Sequence, residues 1–403
     1  MEIIKVSAEE QSVMQIQNNY YKVHPSKIKE VFPPKDVYFL VDPRNAYFSS
    51  LNGCLYSFNG KTLIKAFKNN CQCLYIPNEV QRIGRDAFYT SEIKNVIALN
   101  VETVDDNAFA YSKVENVCFS EKLQKIQVQC FQNSNIQCID LSRTNVKEIF
   151  FATFDYCKHL HEIQLPQDIV RINAAFTGCI SLKTINIHRC LKCDEHFLQC
   201  KKLESIQVSE SNPNYRSIDG VLYSKDMSTL YRVPINWKLG KIKEFHIPET
   251  VNKISDYAFE GCKFEKITIS EGVEVLPEGV FQNCKKLNFV ALPTSLIKIF
   301  PNAFCQCKRI TDILIPRNVK IIYRNAFRQS GLQNLELFGD TNIQNGAFNY
   351  CHNLDVLKIH TQISKQHGIF NHQFKKCYYP KDLEFRVHIK KDEIHIILWN
   401  TEP

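Results

Sequence analysis

The sequence predicts a repeat solenoid: stacked coils of about 22 residues with short parallel strands along one face. Three observations predict it. A Phe recurs at 88, 109, 131, 154, 176, 197, 259, 281, 304, 327, 348 and 374, mostly in steps of 21 to 23 residues, with one step of 62 and a last step of 26. An L-x-x-I-x-I pattern follows it, as in Leu182-x-x-Ile185-x-Ile187 and Leu287-x-x-Val290-x-Leu292. A twelve-residue segment, NGCLYSFNGKTL at 52–63, reappears without gaps as DGVLYSKDMSTL at 219–230.

Each position of the coil has a physical reason. I-x-I alternation has period two, so it predicts a strand with one buried face. One coil cannot bury that face alone; stacked coils make a ladder with strands roughly 4.8 Å apart. Phe fills the opposite side, where the chain turns back. Five residues before it stands an aliphatic residue in ten of the twelve copies, with Lys192 in that place before Phe197. Ala precedes it in seven copies (87, 108, 175, 258, 303, 326, 347), small enough for coils to approach closely. Three residues after it comes Cys in eight copies (157, 179, 200, 262, 284, 307, 351, 377) and Ser in four (91, 112, 134, 330). Cys tolerates burial, and Ser in its place argues that thiol chemistry is not required. Pro166, Pro248, Pro293 and Pro316 close the strands.

The 62-residue step holds the second copy of the twelve-residue segment. Each copy reads as an Asn/Asp-Gly turn, a short strand, a second turn and a return strand, so hairpin modules are expected near 45–66 and 209–235. Residues 1–44 carry no repeat and are expected to cap the first coil. The solenoid is expected over 45–377, and 378–403, where LEFRVHI and DEIHIIL alternate like strands, is expected to cap the other end.

The segments IPNEVQRIGRDAFYTSEIKNV, PEGVFQNCKKLNFVALP and SNPNYRSIDGVLYSKD resemble the BspA-type leucine-rich repeat family, over about residues 45–377. The resemblance implies a curved parallel β-solenoid whose role is binding other proteins, as surface antigens and adhesins do in anaerobic bacteria and parasitic protists.

Composition narrows the function further. With 44% hydrophobic residues the chain can bury a large core. Lys+Arg 50 against Asp+Glu 42 gives +8 with no block of five like charges, so no nucleic-acid partner is expected. Acidic residues at the start replace the apolar stretch of a signal peptide, no apolar run is long enough to span a membrane, and no Asn-x-Ser/Thr sequon occurs. Seventeen cysteines, an odd count, then read as free thiols in an intracellular protein, with non-classical export to the cell surface as the alternative.

Chemistry-bearing motifs are sparse. Asn59-Gly60-Lys61-Thr62 resembles the tail of a phosphate loop, but Leu55 stands where the earlier Gly is required. Cys190-x-x-Cys193, with His188, His196 and Cys200, has zinc-like spacing. Cys200 is already explained by the repeat and no second C-x-x-C exists, so a variant coil is the favoured reading. No enzyme activity, metal or cofactor is expected. The outward positions of the strands are mostly polar, except Phe289, Ala291 and Leu314. With Asn288, Asp312 and Glu336 around them they form the expected protein-binding patch. Ile97 and Cys118 are a smaller second candidate.

Overall fold

A computed structural model of the chain describes residues 2–6, 37–66, 72–194, 197–360, 376–380 and 395–399. The chain divides into two compact units, one of residues 1–201 with 207–213, the other of 202–206 with 214–403. Each is a parallel β-solenoid. No α-helix occurs among the described residues.

In the first unit the L-x-x-I-x-I segments form a five-stranded parallel sheet of Cys73–Tyr75, Asn95–Ala98, Asn116–Phe119, Cys138–Asp140 and Glu162–Gln164. The register is strict: Leu74 pairs with Val96, Val96 with Val117, and Ile139 with Ile163, all buried. A second ladder of shorter strands runs through Arg82–Ile83, Thr103–Val104 and Lys125–Ile126, then Glu148–Ile149, Arg171–Asn173 and Lys192–Asp194. The second unit repeats this plan, its outer sheet beginning with Glu244–His246, Lys266–Thr268 and Phe289–Ala291. Asp312–Ile315, Asn334–Leu337 and Val356–Ile359 continue it.

Opposite the sheet the Phe side chains stack ring on ring. From Phe88 to Phe197 successive centroids lie 4.5 to 6.1 Å apart, and from Phe259 to Phe348 the separations are 4.9 to 5.4 Å. The turn that carries each ring enters the left-handed region two residues before and two residues after it, as at Asn107 and Tyr111 or Asn302 and Gln306. Glycine occupies such a place where a neighbouring ring lies over the backbone: at Gly279 (φ +58°) a Cβ would stand 2.3 Å from the Tyr257 ring.

The two hairpins are built alike. Phe48–Leu51, Cys54–Ser57 and Thr62–Lys65 correspond to Tyr215–Ile218, Val221–Ser224 and Thr229–Arg232, down to a register shift at Leu55/Tyr56 and again at Leu222/Tyr223. Each third strand pairs with the first short strand of its array. The cation ending each hairpin reaches into the next coil: Lys65 Nζ donates to the Asp86 carbonyl (2.5 Å), and the buried Arg232 donates to the Tyr257 carbonyl. Arg232 also pairs with buried Glu260 at 3.5 Å. Near the chain start, Glu2–Val6 lies parallel to Val37–Val41, and near its end Lys376–Pro380 lies parallel to His395–Trp399. Phe374, His196 and the LEFRVHI segment lie outside the described residues.

Two sequence assignments change. Lys192 does not hold the aliphatic place of its coil; Cys193 does, paired in register with Ile172, which itself follows Ile149. Both Ile172 and Cys193 stand four residues before their Phe rather than five, because these turns are one residue tighter. Cys377 is not the thiol of a Phe turn: it lies in Lys376–Pro380, in register with Leu357 of the sheet.

Candidate functional site

The repeat thiols have a definite structural task. Six are buried and donate to the carbonyl of the Phe in the preceding coil: Cys157 to Phe131 (3.0 Å), Cys179 to Phe154 (3.1 Å), Cys200 to Phe176 (3.1 Å), Cys284 to Phe259 (3.0 Å), Cys307 to Phe281 (3.1 Å) and Cys351 to Phe327 (2.8 Å), while the buried Cys262 turns to the Val233 carbonyl (3.6 Å). A buried carbonyl needs such a partner. Where Ser replaces Cys in the coil of Phe109, the shorter Ser112 hydroxyl turns to the Phe109 carbonyl of its own coil (2.7 Å). Burial pushes the Cys157 and Cys262 thiols up to about 12 and raises those of Cys284, Cys307 and Cys351, so they stay protonated at neutral pH. The cysteines of the described residues form no disulfide.

Cys190 and Cys193 belong to the same core logic. Cys190 is buried in the row of Val146 and Ile169, and Cys193 takes the row of Ile149 and Ile172. Those rows are three residues apart in this coil and in the two before it, which accounts for the C-x-x-C spacing by packing. The Cys190 thiol donates to the Lys192 carbonyl (3.1 Å), while the Asn212 amide holds the carbonyls of His188 and Cys190 (3.0 Å each). Among the described residues no group of three His, Cys, Asp or Glu could hold a metal ion. The Asn59–Lys61 turn closes a hairpin, with Asn59 Oδ1 accepting from the Lys61 amide and the Ser57 hydroxyl.

The outer sheet face of the second unit carries the apolar side chains named from sequence. Phe289 is 53% exposed and Leu314 is 58% exposed. They stand on strands one coil apart that lie side by side, although no strand pairing joins Phe289–Ala291 to Asp312–Ile315. Ala291 is half-buried and Asn288 exposed. Beneath them Val290 and Leu292 are only partly buried, where the equivalent Ile267, Ile313 and Leu335 are fully so. At the rim Asp312 accepts from Thr311 (2.6 Å) and Asn334 (2.5 Å), while Glu336 meets His360 at 2.5 Å, whose ring stacks on Phe338. The rim carboxylates are thus fixed in place by neighbours on the same face.

In the first unit the corresponding row is Tyr75, Ile97 and Cys118, consecutive in register. Tyr75 is 70% exposed, Ile97 half-buried and Cys118 exposed. Sequence reasoning missed Tyr75, although Leu74-x-Ile76 keeps the aliphatic alternation with both residues buried and so marks Tyr75 as outward. Its place two residues before Pro77, like Leu314 before Pro316, was a second signal. Tyr223 of the second hairpin is buried and offers no surface.

Comparison with known proteins agrees with this architecture. The pattern described as "BspA type Leucine rich repeat region" matches in six copies over residues 64–150, 133–231 and 236–355. No curated protein matches the chain significantly. Among solved structures, the pneumococcal vaccine antigen PcpA superposes with a TM-score of 0.74 at 19% identity, covering 88% of this chain and 99% of its own. A leucine-rich cell surface protein of Faecalibacterium prausnitzii gives a TM-score of 0.59 at 22% identity, covering 82% and 96%. At these identities the likeness is one of fold. Among the described residues no helix is long and apolar enough to cross a membrane. With its Phe stack, its thiol ladder and six matched copies of the repeat, the chain belongs to the BspA type leucine-rich repeat family.

Proposed function

We propose that the chain is a non-enzymatic scaffold that binds a protein partner on the outer sheet face of its second unit. The observation that carries this reading is the exposure of Phe289 and Leu314 on neighbouring strands of an otherwise polar face, with Asp312 and Glu336 on the same face. Aromatic and aliphatic anchors surrounded by fixed polar groups are how binding energy concentrates in protein interfaces. The test is capture of partners from native extract by wild type, Phe289→Asp and Leu314→Lys, with circular dichroism as the folding control. Each variant is expected to lose more than about 2 kcal/mol of binding if its side chain is an anchor. Leu292→Asp, whose side chain packs against the core, is expected to unfold its coil instead. Retention of every partner by both surface variants refutes the assignment and moves the search to Tyr75, Ile97 and Cys118.

Two locations are compatible with such a scaffold, and each has its own support. Free thiols, including exposed Cys118 and Cys138, favour a reducing intracellular compartment. The cell-surface and vaccine-antigen descriptions of the solved relatives favour display at the surface as an adhesin or antigen. Tagging the protein and locating it in its own cells separates them.

A further inference from the structure

The net charge of this protein is concentrated where a linear reading does not find it. Between Gly279 and Leu354 there are nine Lys and Arg against three Asp and Glu, a net +6 out of +8 for the whole chain. Six of them lie on the Phe turns, two to a coil, and stacking brings these together. Lys285 and Lys286 follow Cys284, and Lys308 and Arg309 follow Cys307, on turns closed the same way: the Lys285 amide donates to Asn283 (2.8 Å) and the Lys308 amide to Gln306 (2.9 Å). In the next coil Arg324 and Arg328 flank Phe327. That coil sits tight against the last, since a Cβ at Gly331 would stand 2.1 Å from the Lys308 carbonyl.

These charges are uncompensated. Among the described residues none of the six takes part in a salt bridge, although Lys238, Lys243 and Lys266 of the same unit do. The turns at 300–309, 323–331 and 344–352 contain no Asp or Glu, and the one acid of the turn at 277–287, Glu278, accepts from the Tyr257 hydroxyl (2.8 Å). The three acids of the segment lie elsewhere: Asp312 and Glu336 on the sheet face, and Asp340 beyond the strand Asn334–Leu337. Like charges repeated on neighbouring coils repel, so such a band is maintained against its own electrostatics and attracts a polyanion.

Beside the band lies an open depression of about 500 Å³ lined by Arg324, Gln344, Asn345, Gly346 and Asn349. Its walls are amides, which donate and accept together as hydroxyl groups require, and one guanidinium, which takes an anionic oxygen pair. Gly346, at φ +81°, keeps the floor clear, since a Cβ there would stand 2.9 Å from the Asn349 amide. Next to it Tyr350, 58% exposed, presents its ring with the Arg328 guanidinium 5.4 Å from the centroid.

We infer that the turn edge of the second unit binds a linear acidic polysaccharide. Its sulfate or carboxylate groups pair with Lys285, Lys286, Lys308, Arg309, Arg324 and Arg328, and one sugar ring occupies the depression against Tyr350. Single-stranded nucleic acid fits less well, because it needs successive aromatic platforms. Tyr350 is the one exposed aromatic along this edge among the described residues, while Phe300 and Tyr323 stack on each other, half-buried.

The experiment measures binding of the full chain to heparin, to neutral dextran and to single-stranded DNA of equal charge, at about 0.15 M salt. Heparin is expected to bind, dextran not, and DNA clearly more weakly. Arg324→Gln with Arg328→Gln is expected to weaken heparin binding roughly tenfold, as is neutralising the four residues after Cys284 and Cys307. Tyr350→Ala is expected to weaken heparin binding and leave the residual DNA binding unchanged. Lys253→Gln with Lys298→Gln, on the short-strand ladder, removes the same charge as the Arg pair and is expected to have no effect. The inference is overturned if heparin does not bind, if DNA binds as tightly, or if the ladder pair weakens binding as much as the Arg pair.

Discussion

Phe304→Ala tests whether the ring stack holds the array together. Phe304 is fully buried, with the Phe281 centroid 5.3 Å away on one side and Phe327 4.9 Å away on the other, the latter nearly coplanar in orientation at 4°. Truncating a buried Phe to Ala costs about 3–5 kcal/mol through lost transfer energy and the cavity left behind. Stacked rings add roughly 0.5–1.5 kcal/mol per pair beyond area. Phe88 is equally buried but stacks on Phe109 alone among the described residues, so Phe88→Ala is expected to cost less by about one such pair. Urea denaturation followed by circular dichroism gives both values, and hydrogen exchange locates the damage. In Phe304→Ala, protection is expected to fall first at the amides of Phe281 and Phe304, which bond forward to Ala303 and Ala326, because each coil contacts only its neighbours. A loss below about 1 kcal/mol, or equal losses at the two positions, refutes the picture of a continuous stack.

Other consequences are equally direct. In the native protein a thiol reagent is expected to label Cys118 and Cys138 first, with the buried repeat thiols reacting only after denaturant is added; rapid native labelling of Cys284 or Cys307 contradicts their burial. Folded-state pKa values near 12 at Cys157 and Cys262, against an ordinary value near 9, mean that their contribution is complete below pH 9 and is lost as pH rises toward 12. The unfolding free energy from urea titration is therefore expected to fall above pH 9, by about 1.4 kcal/mol per pH unit for each such thiol, and a flat profile between pH 9 and 11 refutes it. Arg232→Met strands Glu260 in the interior and is expected to cost about 3–5 kcal/mol, with Arg232→Met/Glu260→Met less destabilised than the single change. Gly279→Ala is expected to destabilise by more than about 1 kcal/mol, and Tyr257→Ala to relieve part of that loss, as thermal melts of the single and double variants measure.

Much of this architecture is legible in the sequence, because periodicity reports on every coil at once. The Phe rungs, the inward positions of Ile185 or Leu335, and the twin hairpins all follow from spacing and period two. What escapes is information that depends on the neighbouring coil. The partner of the Cys157 thiol is a carbonyl 26 residues back, and no local pattern names it. Cys193 could be mistaken for a ligand because its coil tightens by one residue, moving the core position from Lys192. The cations from Lys285 to Arg328 are hidden by their distance along the chain. Linear windows see single charges where the fold makes a row.

The bonding around each Phe gives the array a direction. The Phe154 amide donates forward to the Ala175 carbonyl of the next coil, and the Phe154 carbonyl receives the Cys179 thiol from that same coil. Both polar groups of the Phe backbone therefore face one way along the stack, as at Phe281 with Ala303 and Cys307. A coil so built has unlike ends, as a subunit of a polar filament does: one presents the Phe amide donor and a carbonyl with one lone pair still open, since its own coil's Cys amide already bonds it, and the other supplies their complements. Removing coils from the carboxyl side strands the Phe amides that donate forward, whereas removing them from the amino side strands amides such as those of Glu115 and Gln127, which donate back to Lys94 and Val104, so the two cuts leave unlike groups to be capped. Gene duplications that copy one whole period insert a unit with matching ends at any internal point, and so lengthen such an array without rewriting its neighbours.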